Sequence, residues 1–110
     1  MDRPNRSNDR ETYLYVLRLD PRLHVEAAWT DGDRAAVTAH FQYLSTATEN
    51  GRVVLAGRTD EARDKTFGLV IFEAESEAVA RAFMKSDPAI VAGVMSATLH
   101  PYSIALQRKS

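Results

Sequence analysis

Two short stretches decide the fold: Arg52-Val-Val-Leu-Ala-Gly57 and Thr66-Phe-Gly-Leu-Val-Ile-Phe-Glu73. Both are rich in β-branched and aromatic residues, which favour the pleated, half-buried surface of a strand. The segment between them, residues 58–65, is polar and suits a turn. The sequence therefore predicts a β-hairpin in the middle of the chain.

Another strand precedes the hairpin. Residues 12–19, Thr-Tyr-Leu-Tyr-Val-Leu-Arg-Leu, have the same composition and stop at Asp20-Pro21. Both faces of this strand carry apolar side chains: Leu14 and Val16 on one face, and Tyr13, Tyr15 and Leu17 on the other. We therefore expect both faces to be covered. The next segment, residues 21–29, has no clear period and is interpreted as a loop folded over the body.

A helix is expected between this loop and the hairpin. Thr30 with Asp33 three residues later is a variant of the capping box, and Asn50-Gly51 supplies a left-handed stop after about Glu49. The predicted helix has one stripe at helical spacing: Ala36, Val37, His40, Phe41, Leu44 and Ala47. His40 is the one member of that stripe with acid–base chemistry.

The second half of the chain continues with a helix and a strand. Ser76 is a typical N-cap for a helix over 77–85. The run over 89–94 is too short for a helix with a turn and too apolar for an exposed loop, so we expect a buried turn or half-helix there. The last strand is predicted over 96–106, with a break or bulge near Pro101, because proline cannot donate to a central ladder.

The predicted element order is β-α-β-β-α-β, which is the ferredoxin-like arrangement of α+β proteins. Two helices then cover one face of a four-stranded antiparallel sheet. The other face is also apolar, so we expect a homodimer formed through the sheet faces. Residues 1–11 are polar with nearly balanced charges and are interpreted as a disordered tail, which leaves residues 12–110 as a single domain.

Composition narrows the function classes. The 110 residues carry a formal charge of -1, so no basic field attracts nucleic acid or anionic membrane, and the longest apolar stretch, residues 89–95, is far below the roughly 20 residues of a membrane span. Without cysteine there is no disulfide or thiolate, and neither glycine-rich nucleotide motifs nor H-E-x-x-H occur. We expect a cytoplasmic protein without metal or cofactor, and without nucleic-acid or membrane partners.

His40 and Asp87 are the candidate catalytic residues. Each has an ordinary alternative role: His40 as a core histidine bonded to a carbonyl, and Asp87, before Pro88, as a residue that shapes a turn. In the predicted topology, however, the end of the second helix approaches the middle of the first. A carboxylate bonded to an imidazole fixes its tautomer, and such a pair can move a proton near neutral pH.

The sequence resembles the YCII-related family over most of the chain beyond the tail. The matching segments are His40-Phe-Gln-Tyr-Leu44, Gly51-Arg-Val-Val-Leu-Ala-Gly57, Phe67-Gly-Leu-Val-Ile-Phe72, and Ser86-Asp-Pro88 followed by Gly93. The resemblance implies a small dimer with a ferredoxin-like, dimeric α+β barrel fold. It also implies that His40 and Asp87 share a site in a cleft.

This sequence departs from the common family pattern at Arg58 and Ala89, where many members have proline and phenylalanine. Ala89 would enlarge a pocket, and Arg58 could bind a carboxylate or phenolate, its alternative being an exposed pair with Asp60 or Asp64. Two further substrate-binding candidates are Trp29, which either covers a pocket or fastens the loop to the helix, and Ser86, the neighbour of Asp87.

Three functions follow as hypotheses. The first is a small-molecule enzyme in which His40, oriented by Asp87, performs cofactor-free acid–base chemistry as a lyase, dehydrochlorinase or isomerase on an anionic or phenolic substrate. The resemblance supports it, because one branch of the family is associated with dehydrochlorination of a chlorinated hydroxyhydroquinone. The second is a non-catalytic dimeric module that binds a metabolite. A cofactor-free monooxygenase is a weaker third.

Overall fold

A computed structural model describes residues 10–62 and 64–109 of the chain. Over these residues the strands are β1 (Glu11–Leu19), β2 (Val53–Arg58), β3 (Gly68–Ala74) and β4 (Met95–Pro101), and the α-helices are α1 (Asp31–Glu49), α2 (Glu77–Lys85) and α3 (Pro88–Val91). Two short 3-10 helices, Pro21–His24 and Glu26–Ala28, lie between β1 and α1. No helix in this described part is long and apolar enough to cross a membrane.

The four strands form one antiparallel sheet in the order β2-β3-β1-β4. This order and the helical crossovers confirm the predicted ferredoxin-like α+β fold. The helix α3 is the predicted half-helix after Asp87, with Ala89 buried in its first turn and Val94 buried three residues after its end.

The core lies between the sheet and the helices. From the sheet, one side of each central strand is buried, and the residues are Tyr13, Tyr15, Leu17, Val70, Phe72 and Ala74. Leu44 and Ala47 of α1 and Ala80 and Met84 of α2 pack against them. The opposite side carries the cross-strand pairs Leu14–Ile71 and Val16–Leu69, whose side chains stay half-buried because no helix packs there.

The loop over 21–29 is held against the start of α1. The Arg22 guanidinium donates two hydrogen bonds to the Asp33 carboxylate, at 2.7 and 3.1 Å. Asp33 also completes the predicted capping box with Thr30. The side chain of Leu23 is fully buried beside Ala36 and Val94, so this loop closes one end of the core.

Several predicted boundaries were wrong. The last strand ends at Pro101 and not at residue 106, because Pro101 pairs with Tyr13, only two residues from the start of β1 at Glu11. In the hairpin, β2 covers 53–58 where 52–57 was predicted, and β3 covers 68–74 where 66–73 was predicted. β1 begins at Glu11, one residue early. Residues 1–9 of the predicted disordered tail lie outside the described residues.

Candidate active site

The helices α1 and α3 bring His40 and Asp87 together on the covered face of the sheet. His40 lies midway along α1. Asp87 is the N-cap of α3, directly after the C-cap of α2, and Pro88 occupies the first turn of α3, where a missing N–H costs nothing. The chain must turn sharply between the two helices, and that turn directs the Asp87 side chain inward.

Asp87 is fully buried and its carboxylate accepts three hydrogen bonds. The Oδ1 atom lies 2.7 Å from His40 Nδ1 and 3.0 Å from the Ala89 backbone N–H. The Oδ2 atom accepts from the Tyr15 hydroxyl at 2.8 Å. A buried charge is stable only when paired and hydrogen-bonded, and these three donors meet that condition.

The contact with Asp87 sets the tautomer of His40. An ionised carboxylate only accepts hydrogen bonds, so Nδ1 carries the hydrogen and, in the neutral ring, Nε2 keeps a free lone pair. The His40 side chain retains 13% of its surface exposure. Among the described residues, Nε2 has no hydrogen-bond partner. Asp87 therefore orients the ring through Nδ1 and leaves Nε2 available to act as a base.

Both tyrosines near the pair remain protonated. Burial is the main cause that raises the pKa of Tyr15, and the adjacent charge of Asp87 adds to it. Burial followed by the Asp87 charge likewise raises the pKa of Tyr43, whose hydroxyl donates to the Phe83 carbonyl at 2.7 Å. Tyr15 is thus a permanent hydrogen-bond donor to Asp87 at ordinary pH.

His40 opens onto a cavity of about 1050 Å³ between α1, the loop over 21–29 and the β2–β3 hairpin. A volume of this size suits a small organic molecule. Its walls are mostly apolar, and the side chains nearest the loop and helix are Leu17, Leu23, Trp29, Val37, Phe41 and Leu44. Phe41 was wrongly expected on the buried stripe of α1, because a helix turns by 100° per residue and leaves it 72% exposed at the cavity.

The charged groups around the cavity are mostly acidic. Among the described residues that line it, the charged side chains are those of Glu26, Glu49, Glu61 and Arg58. The Arg58 side chain is 71% exposed and lies 3.7 Å from Asp60, so the predicted alternative of an exposed pair is present. Among residues 10–62 and 64–109, no three His, Cys, Asp or Glu side chains converge as a metal site would require.

The other two predicted substrate-binding residues differ in position. Trp29 lines the cavity and donates its Nε1 hydrogen to the Leu23 carbonyl at 2.9 Å, so it both fastens the loop and forms part of the wall. Ser86 is the exposed C-cap of α2 and is not part of the cavity wall. A residue adjacent to Asp87 along the chain faces away because the backbone turns there.

Sequence reasoning missed Tyr15 and the acidic groups at the cavity. Tyr15 was assigned to the correct sheet face, but its bond to Asp87 joins residues 72 positions apart. The available signal was the presence of two hydroxyl-bearing residues, Tyr13 and Tyr15, on one face of an otherwise apolar strand.

These features define a small α+β protein with a ferredoxin-like sheet and a buried histidine–aspartate pair at the wall of a cavity. The chain belongs to the YCII-related domain family, whose sequence model matches residues 13–99. This match confirms the family predicted from the sequence motifs. A search of curated proteins finds no significant match.

Two solved structures are similar to this chain, and the first of them supports the same fold. The 5-chloro-2-hydroxyhydroquinone dehydrochlorinase TftG from Burkholderia phenoliruptrix AC1100, in complex with 2,5-dihydroxybenzoquinone, is similar with a TM-score of 0.54 and 20% identity. The similarity covers 83% of this chain and 93% of that one. A candidate antibiotic biosynthesis monooxygenase from Bacteroides thetaiotaomicron VPI-5482 has a TM-score of 0.49 and 15% identity over 94% of this chain and 99% of its own.

Proposed function

We propose that this chain is a small-molecule enzyme that performs acid–base chemistry of the lyase, dehydrochlorinase or isomerase type, with His40 Nε2 as the proton acceptor and donor. The observation that carries the proposal is the 2.7 Å bond between His40 Nδ1 and the fully buried Asp87. It leaves the basic nitrogen directed at a cavity large enough for a substrate.

The proposed reaction begins with transfer of a substrate proton to Nε2. The electron pair of the broken O–H or C–H bond moves into the substrate and either expels a leaving group with its bonding electrons or shifts a double bond. The imidazolium formed is stabilised by Asp87, a role that oriented carboxylates play in proton transfer. The proton then returns to the substrate in an isomerisation, or to solvent after an elimination.

The cavity favours a neutral phenolic substrate over an anionic one. Its walls are mostly apolar, with Trp29 and Phe41 offering aromatic surfaces, and among the described lining residues three are carboxylates and one is a guanidinium. An anion would be repelled by this distribution of charge, whereas a phenol brings a transferable proton without a charge. TftG acts on a hydroxyhydroquinone, so neutral hydroquinones are the first compounds to assay.

The proposal is tested by ¹⁵N NMR of the His40 ring together with turnover assays. We expect the neutral ring to hold its hydrogen on Nδ1, with His24 and His100 as internal references. We also expect chlorinated or hydroxylated hydroquinones to be consumed without added cofactor. A hydrogen on Nε2, or a ligand that binds and stays unchanged over many hours, contradicts catalysis and favours the metabolite-binding module. Oxygen consumption favours the monooxygenase.

Arg58 provides a test of substrate charge. Because it is exposed and lies near Asp60, Arg58→Ala is expected to change the Kd of a neutral phenol by less than about threefold. A much larger loss of affinity, confined to anionic ligands, would contradict the assignment of a neutral substrate and restore the anionic one. Isothermal titration with a phenol and a matched benzoate separates these results.

We also propose that a second copy of the chain covers the open face of the sheet. This face presents Leu14, Val16, Leu69 and Ile71 at its centre, with polar residues of β4 such as Thr98 and His100 beside them. A two-fold axis through the patch would set identical apolar surfaces against each other, which needs no second kind of partner. The site residues lie on the opposite, helix-covered side.

A further inference from the structure

We infer that Tyr15 is a positioning residue that holds Asp87 in place and lowers the proton affinity of the His40–Asp87 pair. The inference deepens the proposed function and rests on it. It names a group that never touches the substrate but acts through the carboxylate behind the base.

The position of Tyr15 is closely constrained. It lies in the middle of β1, a central strand, and its side chain is fully buried. The ring packs edge-on against Phe72, with centroids 5.6 Å apart, and against Phe83 at 6.2 Å. These contacts leave the hydroxyl little freedom, so its 2.8 Å bond to Asp87 Oδ2 is directed by the packing of the core.

The two carboxylate oxygens of Asp87 have different partners. Oδ1 accepts from His40 and from the Ala89 backbone N–H, whereas Tyr15 is the partner of Oδ2 among the described residues. Hydrogen bonds to a carboxylate stabilise its charge and reduce its attraction for a further proton. Without the Tyr15 hydroxyl, Oδ2 would be buried with no donor, and the carboxylate would hold the imidazolium proton of His40 more strongly.

For catalysis, Asp87 and Tyr15 have opposite effects on how strongly His40 holds its proton. A base that binds its proton too strongly is slow to release it, and efficient proton transfer needs intermediate affinity near the working pH. The Asp87 carboxylate attracts the proton of the His40 imidazolium, and the hydrogen bond from Tyr15 to that carboxylate weakens the attraction.

Other titratable groups lie farther from the pair or do not bond to it. Tyr43 of α1 lies near Asp87 but donates to Phe83, and the Arg52 guanidinium lies over the Phe83 ring. At the cavity, Glu26, Glu49, Arg58 and Glu61 are the charged groups on the side of His40 that faces solvent. Tyr15 is therefore the group whose removal changes the carboxylate most directly.

The experiment is an NMR pH titration of the His40 ring in the native chain, Tyr15→Phe and Tyr43→Phe. Tyr15→Phe keeps the aromatic ring and removes only the hydroxyl, and we expect the titration midpoint of His40 to rise by about 0.5 pH unit or more. The proton on Nδ1 should move downfield, as in a stronger hydrogen bond. Tyr43→Phe, which also deletes a hydrogen-bonded and partly buried hydroxyl, is expected to leave both signals nearly unchanged.

A second substitution covers the case in which Tyr15→Phe fails to fold. Site-specific 3-fluorotyrosine at position 15 keeps the packing and donates a stronger hydrogen bond, so the midpoint of His40 should fall. A midpoint that stays constant in these variants, or shifts equally in Tyr43→Phe, would overturn the role of Tyr15.

This outcome is distinct from failure of the proposed function. If Asp87→Asn lowers the His40 midpoint while Tyr15→Phe does not raise it, only the inference about Tyr15 is wrong. If neither variant changes it, the His40–Asp87 pair itself is not coupled and the proposed function fails with it. Once a substrate is found, the pH profile of kcat should shift toward higher pH in Tyr15→Phe, while KM changes little.

Discussion

Tyr15 and Val16 are neighbours on β1, yet they belong to opposite sides of the molecule. The Tyr15 hydroxyl lies inside the helix-covered face and bonds to Asp87, whereas Val16 faces the open side opposite Leu69. The covered face thus contains a charged and hydrogen-bonded group within its core, and the open face has an apolar centre. The difference shows that one strand presents two unlike surfaces, because its side chains alternate with a period of two, and we propose chemistry for the first surface and association for the second.

The largest expected effect is on activity at the covered face. His40→Asn removes the proton acceptor while keeping a polar side chain, and we expect kcat to fall by about 10²–10⁴-fold, the usual contribution of a positioned acid or base. The thermal midpoint should fall as well, because Asp87 loses one of its three hydrogen-bond donors, so activity is compared at temperatures where both variants are folded. Steady-state kinetics on a hydroquinone substrate, with His100→Asn as the matched control, measures this. Equal losses in both variants would contradict the role of His40.

The next effect concerns the stability of the same face. Asp87→Ala leaves the Tyr15 hydroxyl and the Ala89 N–H buried without their acceptor, so the free energy of unfolding should fall by about 2–4 kcal/mol. Asp60→Ala, which removes an exposed carboxylate 3.7 Å from Arg58, serves as the control. Its free energy of unfolding should fall by less than about 1 kcal/mol. Urea unfolding of both variants decides whether the buried carboxylate also stabilises the fold.

The open face is tested by introducing a charge at its centre. Val16→Lys should dissociate the proposed dimer, since a lysine desolvated at an apolar interface weakens association by about tenfold or more. Light scattering after size exclusion should then give the mass of one chain. Ala82→Lys, on the exposed side of α2, should leave the mass of two chains unchanged. If the native chain is already monomeric at high concentration, the proposed dimer is wrong.

The smallest expected effect is a loss of folding stability at low pH, caused by the contact between Arg22 and Asp33 at the edge of the covered face. The Arg22 guanidinium and then the Thr30 backbone hold the pKa of Asp33 below its ordinary 3.8. Because the folded pKa is depressed, the stabilisation is present above about pH 4 and is lost as the pH falls below it. Thermal melts from pH 6 to pH 3 should show a shallower loss in Arg22→Gln than in the native chain.

The matched control for this last prediction is Arg34→Gln, which removes an exposed i,i+3 pair with Asp31. Its acid dependence should follow that of the native chain. If Arg22→Gln does so too, the contact between the loop and α1 does not contribute measurably to stability.

The sequence was a sound guide to elements and to the two residues of the pair. The capping box at Thr30 and the strand composition of β1 and β3 predicted their elements to within a few residues. It was a poor guide where an element ends without a strong local signal, as in β4, where the alternating pattern continues past Pro101 although the paired strand β1 begins at Glu11. It also named Ser86, which belongs to the matching segment Ser86-Asp-Pro88 but lies outside the cavity wall.

By itself, the sequence determined the order of strands and helices, the alternation of apolar residues on both faces of β1, and the presence of a histidine on an otherwise apolar helical stripe. These are local properties, set by backbone preferences and side-chain periodicity over a few residues. The tertiary structure alone decided that Tyr15, His40 and Asp87 meet, that Phe41 faces a cavity, and that Ser86 does not. Such contacts depend on how distant elements pack, because a hydrogen bond across 72 residues has no counterpart in any local pattern.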